Sequence, residues 1–387
     1  MSGIAHWALD TPDAPALLTM GGVTTFVELE QRQRLVAGWL RSENMTEGDR
    51  VAVLAANRVE LLELTGAALR SDVVPVPLDP ALSEAAIAYA VEDSGAALLV
   101  ADRLIETAPE LTRVVTFGDA YERCLHDAAP IDIASHTSTR PMHYAPRNSG
   151  PPRGVWVAPR SPTDAAASSD AFGSAWGLAP GERHLVCSPL SQPTPHLFAT
   201  RTLEAGGAVV LRPRFEPTDT LAAVELFGVT SIFLDSAELE RIMALKGALM
   251  RHDLSSLRLV AHSGSPLPEA IKRRAIELFP QDSVWELYAS TEGVATRISS
   301  HERLLKPNSV GVPAAGARIV IRAPDGHELP PGETGEVWIE DPSAERFEYW
   351  GDPAATAATW RAGAFTTGDL GRVDEDGYLF LTQPRTP

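Results

Sequence analysis

Cysteine is almost missing from this chain: Cys124 and Cys187 are the only two among 387 residues. Two thiols supply neither a disulfide framework nor a four-cysteine zinc site, so a reducing cytoplasm is the expected home. No apolar run approaches the length of about 18 residues that a membrane helix needs, and no membrane partner is expected. The opening MSGIAHWALDTPDAP has neither the basic start nor the apolar centre of a signal peptide. Basic residues are scarce as well, with 33 Lys and Arg against 51 Asp and Glu, a formal charge of -18. That balance repels a phosphate backbone, so nucleic acid is not an expected partner, although a small anion can bind at a local basic site.

What is present is globular, with 44% hydrophobic and 22% charged residues. The length allows one large core or two to three lobes. The first third alternates strand-like and helix-like segments. Phe26 to Leu40 places Leu29, Val36 and Leu40 on one helical face, and VAVLAA at 51–56 follows as a strand. Asn57 is a candidate cap for RVELLELTGAALRS, VVPVPL at 73–78 is a second strand, and Ser83 can cap SEAAIAYAVEDSG before the strand AALLVAD. Strands alternating with helices of this length predict a parallel sheet covered on both faces. Between about 105 and 165 the chain turns polar and proline-rich, which reads as a linker between lobes. Within it, Arg147 and Arg153 flank Ser149 and Gly150 in YAPRNSGPPRG, an arrangement that could also cradle phosphate.

From residue 178 the α/β rhythm resumes, with helices near 217–227, in AELERIMALKGALM and from about Pro268 to Phe279. Past Gly311, ARIVIRAPDGHELPPGETGEVWIED and AFTTGDLGRVDEDGYLFL read as hairpins with Asp-Gly and Gly-rich turns. The predicted fold class is therefore α/β: layered lobes with mainly parallel sheets over 1–304, and a small antiparallel β lobe over 305–387.

The stretch that draws chemical attention is Trp285 to Gly293, WELYASTEG. A hydroxyl beside a carboxylate at a strand end suits a phosphate and its magnesium, because hard cations take oxygen ligands. The same residues also suit a strand end followed by a solvated turn. The order strand, helix, strand delivers them to a carboxyl edge, where open α/β sheets place ligands.

Four segments in order carry a family resemblance: HSGSPLP at 262–268, ELYASTEG at 286–293, HELPPGETGEVWI at 327–339 and FTTGDLGRVDEDGYLFL at 365–381. Together they resemble the large N-terminal domain of the adenylate-forming superfamily, which includes acyl-CoA synthetases, adenylation domains and luciferases. The texture is most similar to acyl-CoA synthetases, and the likeness runs over nearly the whole chain. The resemblance implies ATP or AMP and Mg2+ as cofactors. It implies that Tyr288 packs on adenine, Thr291 contacts phosphate and Glu292 holds magnesium, with Ala289 standing where glycine is usual. It also implies that Asp369 holds both ribose hydroxyls, and that Ser263, Gly264 and Ser265 form the turn beside the adenine. A carboxylate suits vicinal hydroxyls because it offers acceptors only.

Departures from the family pattern carry their own expectations. The phosphate loop falls on Ala145 to Gly154, where only Ser149, Gly150, Pro152 and Gly154 match and Arg153 replaces lysine. Arginine keeps the charge but not the volume of an ammonium. Pro146 and Pro151 bring no amide hydrogens, and Arg147 stands where glycine could adopt positive φ, so an amide nest of the usual shape is not expected. The histidine of the family's acyl-pocket gate aligns with Gln192, His196 lies four residues on, and the resemblance places Gln192, His196 and Ala289 at the substrate pocket. After YLFL the family continues through a G-R-x-x-D hinge into a mobile C-terminal lid domain with a catalytic lysine; here TQPRTP follows, and Pro384 takes the arginine position. The lid is therefore expected to be absent, and a missing cation costs about 100 to 1,000-fold in rate by analogy with single-donor deletions.

Two functions from different classes follow. One is ATP-dependent activation of a small carboxylic acid as acyl-AMP, for transfer to a thiol or amine such as CoA or a carrier protein, impaired or served by a separate lid domain. The other is a catalytically reduced nucleotide- or acyl-binding module, a loading platform or regulator. A pocket repurposed for non-adenylating chemistry is a third alternative.

Overall fold

The computed structural model describes residues 3–105, 112–147, 150–245, 247, 251–314, 316–341 and 346–383. It forms two compact units, the first from residues 1–143 and 156–231, the second from 144–155 and 232–387.

The first unit contains the expected parallel sheet. Its strands run in the order Val74–Leu78, Arg50–Leu54, Leu98–Ala101 and Arg113–Thr116, and every neighbouring pair is parallel. Three of these strands are continuous apolar runs because the sheet is covered, and Val74–Leu78 and Leu98–Ala101 are buried at every position. Val74–Leu78 carries Pro75 and Pro77, which lack an N–H, and it accordingly occupies the edge. A second set of strands follows the order Arg183–Val186, Ala208–Leu211, Pro15–Thr19 and Gly22–Thr25. One apolar cluster that includes Phe26, Trp39, Val53, Tyr121, Leu203 and Val209 serves both sheets of this unit.

Two expectations are corrected here. Ser83 caps its helix by accepting from Ala86 N–H at 3.3 Å, but Asn57 caps nothing. Helix Val59–Arg70 starts after Arg58 without a side-chain cap. Asn57 is buried and turned across the chain: its amide donates to the Ser188 and Arg212 carbonyls at 2.9 and 3.1 Å, and its oxygen accepts from Leu190 N–H at 2.8 Å. A buried amide that meets three backbone groups satisfies more polar atoms than one helix cap would. The stretch read as a linker does contain the two places, 143/144 and 155/156, where the chain passes between the units, but it is not structureless. It holds the strand Arg113–Thr116, helix Asp119–His126, the strands His143–Ala145 and Arg153–Val157 and the start of helix Pro162–Trp176. Part of its polar texture is buried and hydrogen-bonded, as at Thr137, Ser138 and Thr139.

In the second unit the strands Val294–Ser299, Val284–Ala289, Leu259–Ser263 and Ser231–Asp235 lie side by side in that order. The antiparallel region pairs Arg318–Arg322 with Gly335–Glu340, and that strand with Ala364–Val373, which also takes Leu379–Gln383 on its far part. A small sheet runs Phe347–Tyr349, Arg153–Val157, His143–Ala145. Phe347 packs on Tyr349, Trp360 and Phe365, with ring centroids 5.1 to 5.6 Å apart. The antiparallel hairpins thus form where the Gly-rich turns predicted them.

Candidate active site in the second unit

Leu259–Ser263 and Val284–Ala289 pair in parallel, with His262 opposite Glu286. Both strands therefore end at the same edge, where Ser263 leads into Gly264 and Ser265 and Tyr288 leads into the hairpin tip. Gly264 has φ of 114°, a conformation that side chains rarely adopt, which explains glycine at this turn. Ser263 O accepts from Ser236 Oγ at 3.2 Å, anchoring the turn to helix Ser236–Met243.

Val284–Ala289 turns back into Val294–Ser299. Ser290 N–H donates to Gly293 O at 2.9 Å and Gly293 N–H returns to Ser290 O at 3.2 Å, so Thr291 and Glu292 form the tip. The register slips between Tyr288 and Ala289, where Ala295 is the extra residue on the returning strand. Such an irregularity re-aims neighbouring side chains. Ala289 itself has no positive φ, so its methyl group carries no backbone penalty at a place where glycine is usual. Thr291 is half-buried, whereas Glu292 is only 6% exposed.

Two side-chain networks are built around this hairpin. In the first, the Tyr288 hydroxyl donates to Oδ2 of Asp369, and Thr367 Oγ1 donates to the same oxygen at 2.7 Å. The Tyr288 and Thr367 hydroxyls are themselves 3.0 Å apart. Asp369 is 6% exposed, so a buried carboxylate is held by two hydroxyls on one oxygen. In the second, the Tyr349 hydroxyl donates to Glu292 Oε1 at 2.7 Å. The Arg153 guanidinium lies over the Tyr349 ring, 5.1 Å from its centroid, and its Nη2 pairs with Asp352 Oδ2 at 3.0 Å. Asp352 also caps helix Pro353–Thr359 by accepting from Ala355 N–H at 3.0 Å. That amide bond, helped by the charges of Arg153 and Arg147, holds the Asp352 carboxyl below its usual range.

Among the residues singled out from sequence, the structure therefore gathers Tyr288 with Asp369, and Arg153 with Glu292 through Tyr349. Gly150 has φ of 86°, and the Arg147 guanidinium lies beside it, 3.8 Å from where a Cβ would stand. Ser149 lies outside the described residues. Gln192 and His196 belong to the first unit. Gln192 precedes helix Pro193–Glu204 without a side-chain cap bond. His196 is buried in that unit, with Nε2 at 3.1 Å from Thr65 Oγ1 and its ring 6.3 Å from that of His143. Burial lowers its pKa to about 4, so it is a neutral core histidine.

Sequence reasoning missed Tyr349, Asp352 and the contribution of Thr367. Asp352-Pro353 before AATAAT did carry a legible signal, an acidic N-cap followed by proline at the first helical position. Tyr349 carried none.

The described residues hold no cluster of three or more potential metal-binding side chains. Glu292, a buried carboxylate that follows the Thr291 hydroxyl in the chain, fits the habit of magnesium, which takes one or two carboxylates and completes its shell with phosphates and water. No described helix is long and apolar enough to cross a membrane.

The chain belongs to the AMP-binding enzyme family, whose model matches residues 4–347. It is 31% identical to a feruloyl-CoA synthase of Amycolatopsis sp, over 98% of this chain and 78% of that protein. It is 29% identical to the fatty acid–[acyl-carrier-protein] ligase ScoC of Streptomyces coeruleorubidus, over 96% and 74%. Its fold is similar to that of o-succinylbenzoate CoA synthetase from Bacillus subtilis bound with a product analogue, at a TM-score of 0.87 and 25% identity, covering 100% of this chain and 79% of the other. The same synthetase in complex with ATP and magnesium ion aligns at a TM-score of 0.86 and 24% identity over 99% and 79%, a likeness of fold. By name these relatives are a synthase, a ligase and a synthetase, and none of them supports the reading of a non-catalytic binding module.

Proposed function

We propose that this chain is the nucleotide-binding body of an AMP-forming ligase that activates a small carboxylic acid as its acyl adenylate, for transfer to a thiol or an amine. The observation that carries this reading is the Tyr288–Thr367–Asp369 cluster, which holds a buried carboxylate acceptor-first at the carboxyl edge of two parallel strands. A carboxylate there suits the vicinal hydroxyls of a ribose, and the aromatic face of Tyr288 suits a base. Ser263, Gly264 and Ser265 supply the turn that would border that base.

Glu292 would hold magnesium, and Thr291 and Arg153 would face the phosphates. When bound, magnesium would supply charge neutralisation on the phosphates while a carboxylate oxygen of the acid bonds to the α-phosphorus in line and the bond from that phosphorus to the bridging β-phosphate oxygen breaks, releasing pyrophosphate. The chain's own part is positioning. Tyr288 and Thr367 fix Asp369, Tyr349 fixes Glu292, and the hairpin tip presents a hydroxyl beside the carboxylate. Arg153 stands as a partly committed cation, because Asp352 already meets its charge. The named relatives act with CoA or an acyl-carrier protein, and either acceptor suits this reading.

Acid-dependent exchange of pyrophosphate into ATP tests it, with the chain alone and with a lid domain supplied separately. Exchange that requires an acid supports adenylation. Absence of ATP binding by calorimetry, with magnesium present, overturns it.

A further inference from the structure

Glu292 does not stand alone at the hairpin tip. Its Oε1 accepts from Tyr349, whose hydroxyl reaches it from a different sheet, 57 positions later in the chain. Tyr349 is 7% exposed and Glu292 6%, so the hydrogen bond is made in a buried setting where an unpartnered carboxylate oxygen would be costly. The same tyrosine ring carries the Arg153 guanidinium at 5.1 Å. Arg153 opens the strand next to Phe347–Tyr349 in the small sheet, which brings the two residues together. One aromatic side chain thus touches both the carboxylate read here as the magnesium ligand and the cation that replaces the loop lysine.

We propose that Tyr349 is a positioning residue for Glu292: by donating to Oε1 it fixes the plane in which the carboxylate meets magnesium. This rests on the reading of Glu292 as the metal carboxylate. Carboxylates that bind metals depend on hydrogen bonds from groups behind them, and losing such a partner typically weakens metal affinity by about 10 to 100-fold. The stack on Arg153 gives the ring a second contact besides its hydrogen bond to Glu292. The phosphate loop and the hairpin tip, far apart in sequence, are coupled through this ring.

The test measures ATP affinity of the full chain by titration calorimetry, with and without magnesium chloride, for the parent, Tyr349→Phe, Glu292→Gln and the double variant. Phenylalanine keeps the ring and its stack and removes only the donor. The expected result is that Tyr349→Phe lowers the magnesium-dependent gain in ATP affinity by about tenfold. It should leave magnesium-free affinity unchanged and add nothing in the Glu292→Gln background. An unchanged gain in Tyr349→Phe, while Glu292→Gln abolishes it, overturns the role of Tyr349 and leaves the metal reading standing. Equal losses with and without magnesium overturn it too, since they mark a packing role. A gain that survives Glu292→Gln overturns the metal reading itself.

Discussion

Tyr288 and Asp369 are 81 positions apart in the chain, yet the tyrosine hydroxyl donates to the aspartate's Oδ2, and Thr367 donates to that same oxygen. The carboxylate is therefore oriented before any ligand arrives, with two hydroxyl donors behind it. Hydrogen bonds to a charged acceptor contribute about 1.5 to 3 kcal/mol each. Asp369→Asn is expected to weaken AMP binding by about 10 to 100-fold. Tyr288→Phe, which keeps the aromatic face and removes one of two orienting donors, is expected to cost about tenfold or less. Calorimetry with AMP ranks the two, and a larger loss in Tyr288→Phe contradicts the assignment of Asp369 to the ribose.

Arg153 and Asp352 make a second prediction. If the guanidinium serves the terminal phosphates, Arg153→Ala lowers affinity for ATP by about tenfold and leaves AMP binding nearly unchanged, the loss of one charge-assisted contact. Asp352→Ser keeps a competent helix cap and removes the competing charge, so it is expected to tighten ATP binding severalfold. Binding titrations with both nucleotides check the pair, and equal changes for ATP and AMP contradict it.

Three of the buried histidines, those with the largest shifts, make the stability of the chain depend on pH. Burial lowers the pKa of His143 to about 3, and of His196 and His262 to about 4, against an ordinary value near 6.5. The neighbouring His196 lowers His143 further. All three are neutral in the folded chain and take up protons on unfolding below the ordinary value, so the unfolded state binds more protons there and stability rises with pH. The stabilisation is complete above about pH 6.5 and is lost as pH falls toward 4 for His196 and His262 and toward 3 for His143, each histidine contributing on the order of a few kcal/mol. Melting temperatures from pH 7.5 to 4 should fall steeply below about 6.5. His143→Gln should flatten that slope whatever it does to the melting temperature at pH 7.5.

Glu204 is the charged hub of the first unit and is fully buried. It accepts from Thr137 N–H and Oγ1 at 2.8 and 2.9 Å and from Ser169 Oγ at 2.8 Å, and it pairs with Arg201. Burial works against its charge, but Arg201 and these donors outweigh it and keep the carboxyl below its usual range. Removing one partner of a buried pair leaves the other charge uncompensated, so Glu204→Ala is expected to destabilise by about 3 to 5 kcal/mol. Urea unfolding measures this, and a loss under about 1 kcal/mol contradicts the hub.

The sequence by itself determined the local matters. Continuous apolar runs such as VAVL and LLVA specified strands of a covered parallel sheet, because a strand buried on both faces cannot alternate. Ser83 announced a helix start, the Gly-rich turns announced the antiparallel hairpins, and WELYASTEG with TTGD named Tyr288, Glu292 and Asp369 through a family resemblance. Each of these signals is carried within a few neighbouring residues.

Tertiary structure decided what each polar side chain does with its hydrogen bonds. Asn57 had every local mark of a helix cap, but a buried amide that can meet Leu190, Ser188 and Arg212 together goes where three partners wait. His196, one turn beyond the expected gate position, is a neutral core residue because the first unit closes over it. Tyr349, Asp352 and Arg153 meet only because a short strand late in the chain lies beside an early one. No spacing or periodicity encodes a contact between segments so distant in sequence; the tertiary fold brings the Tyr349 hydroxyl to Glu292.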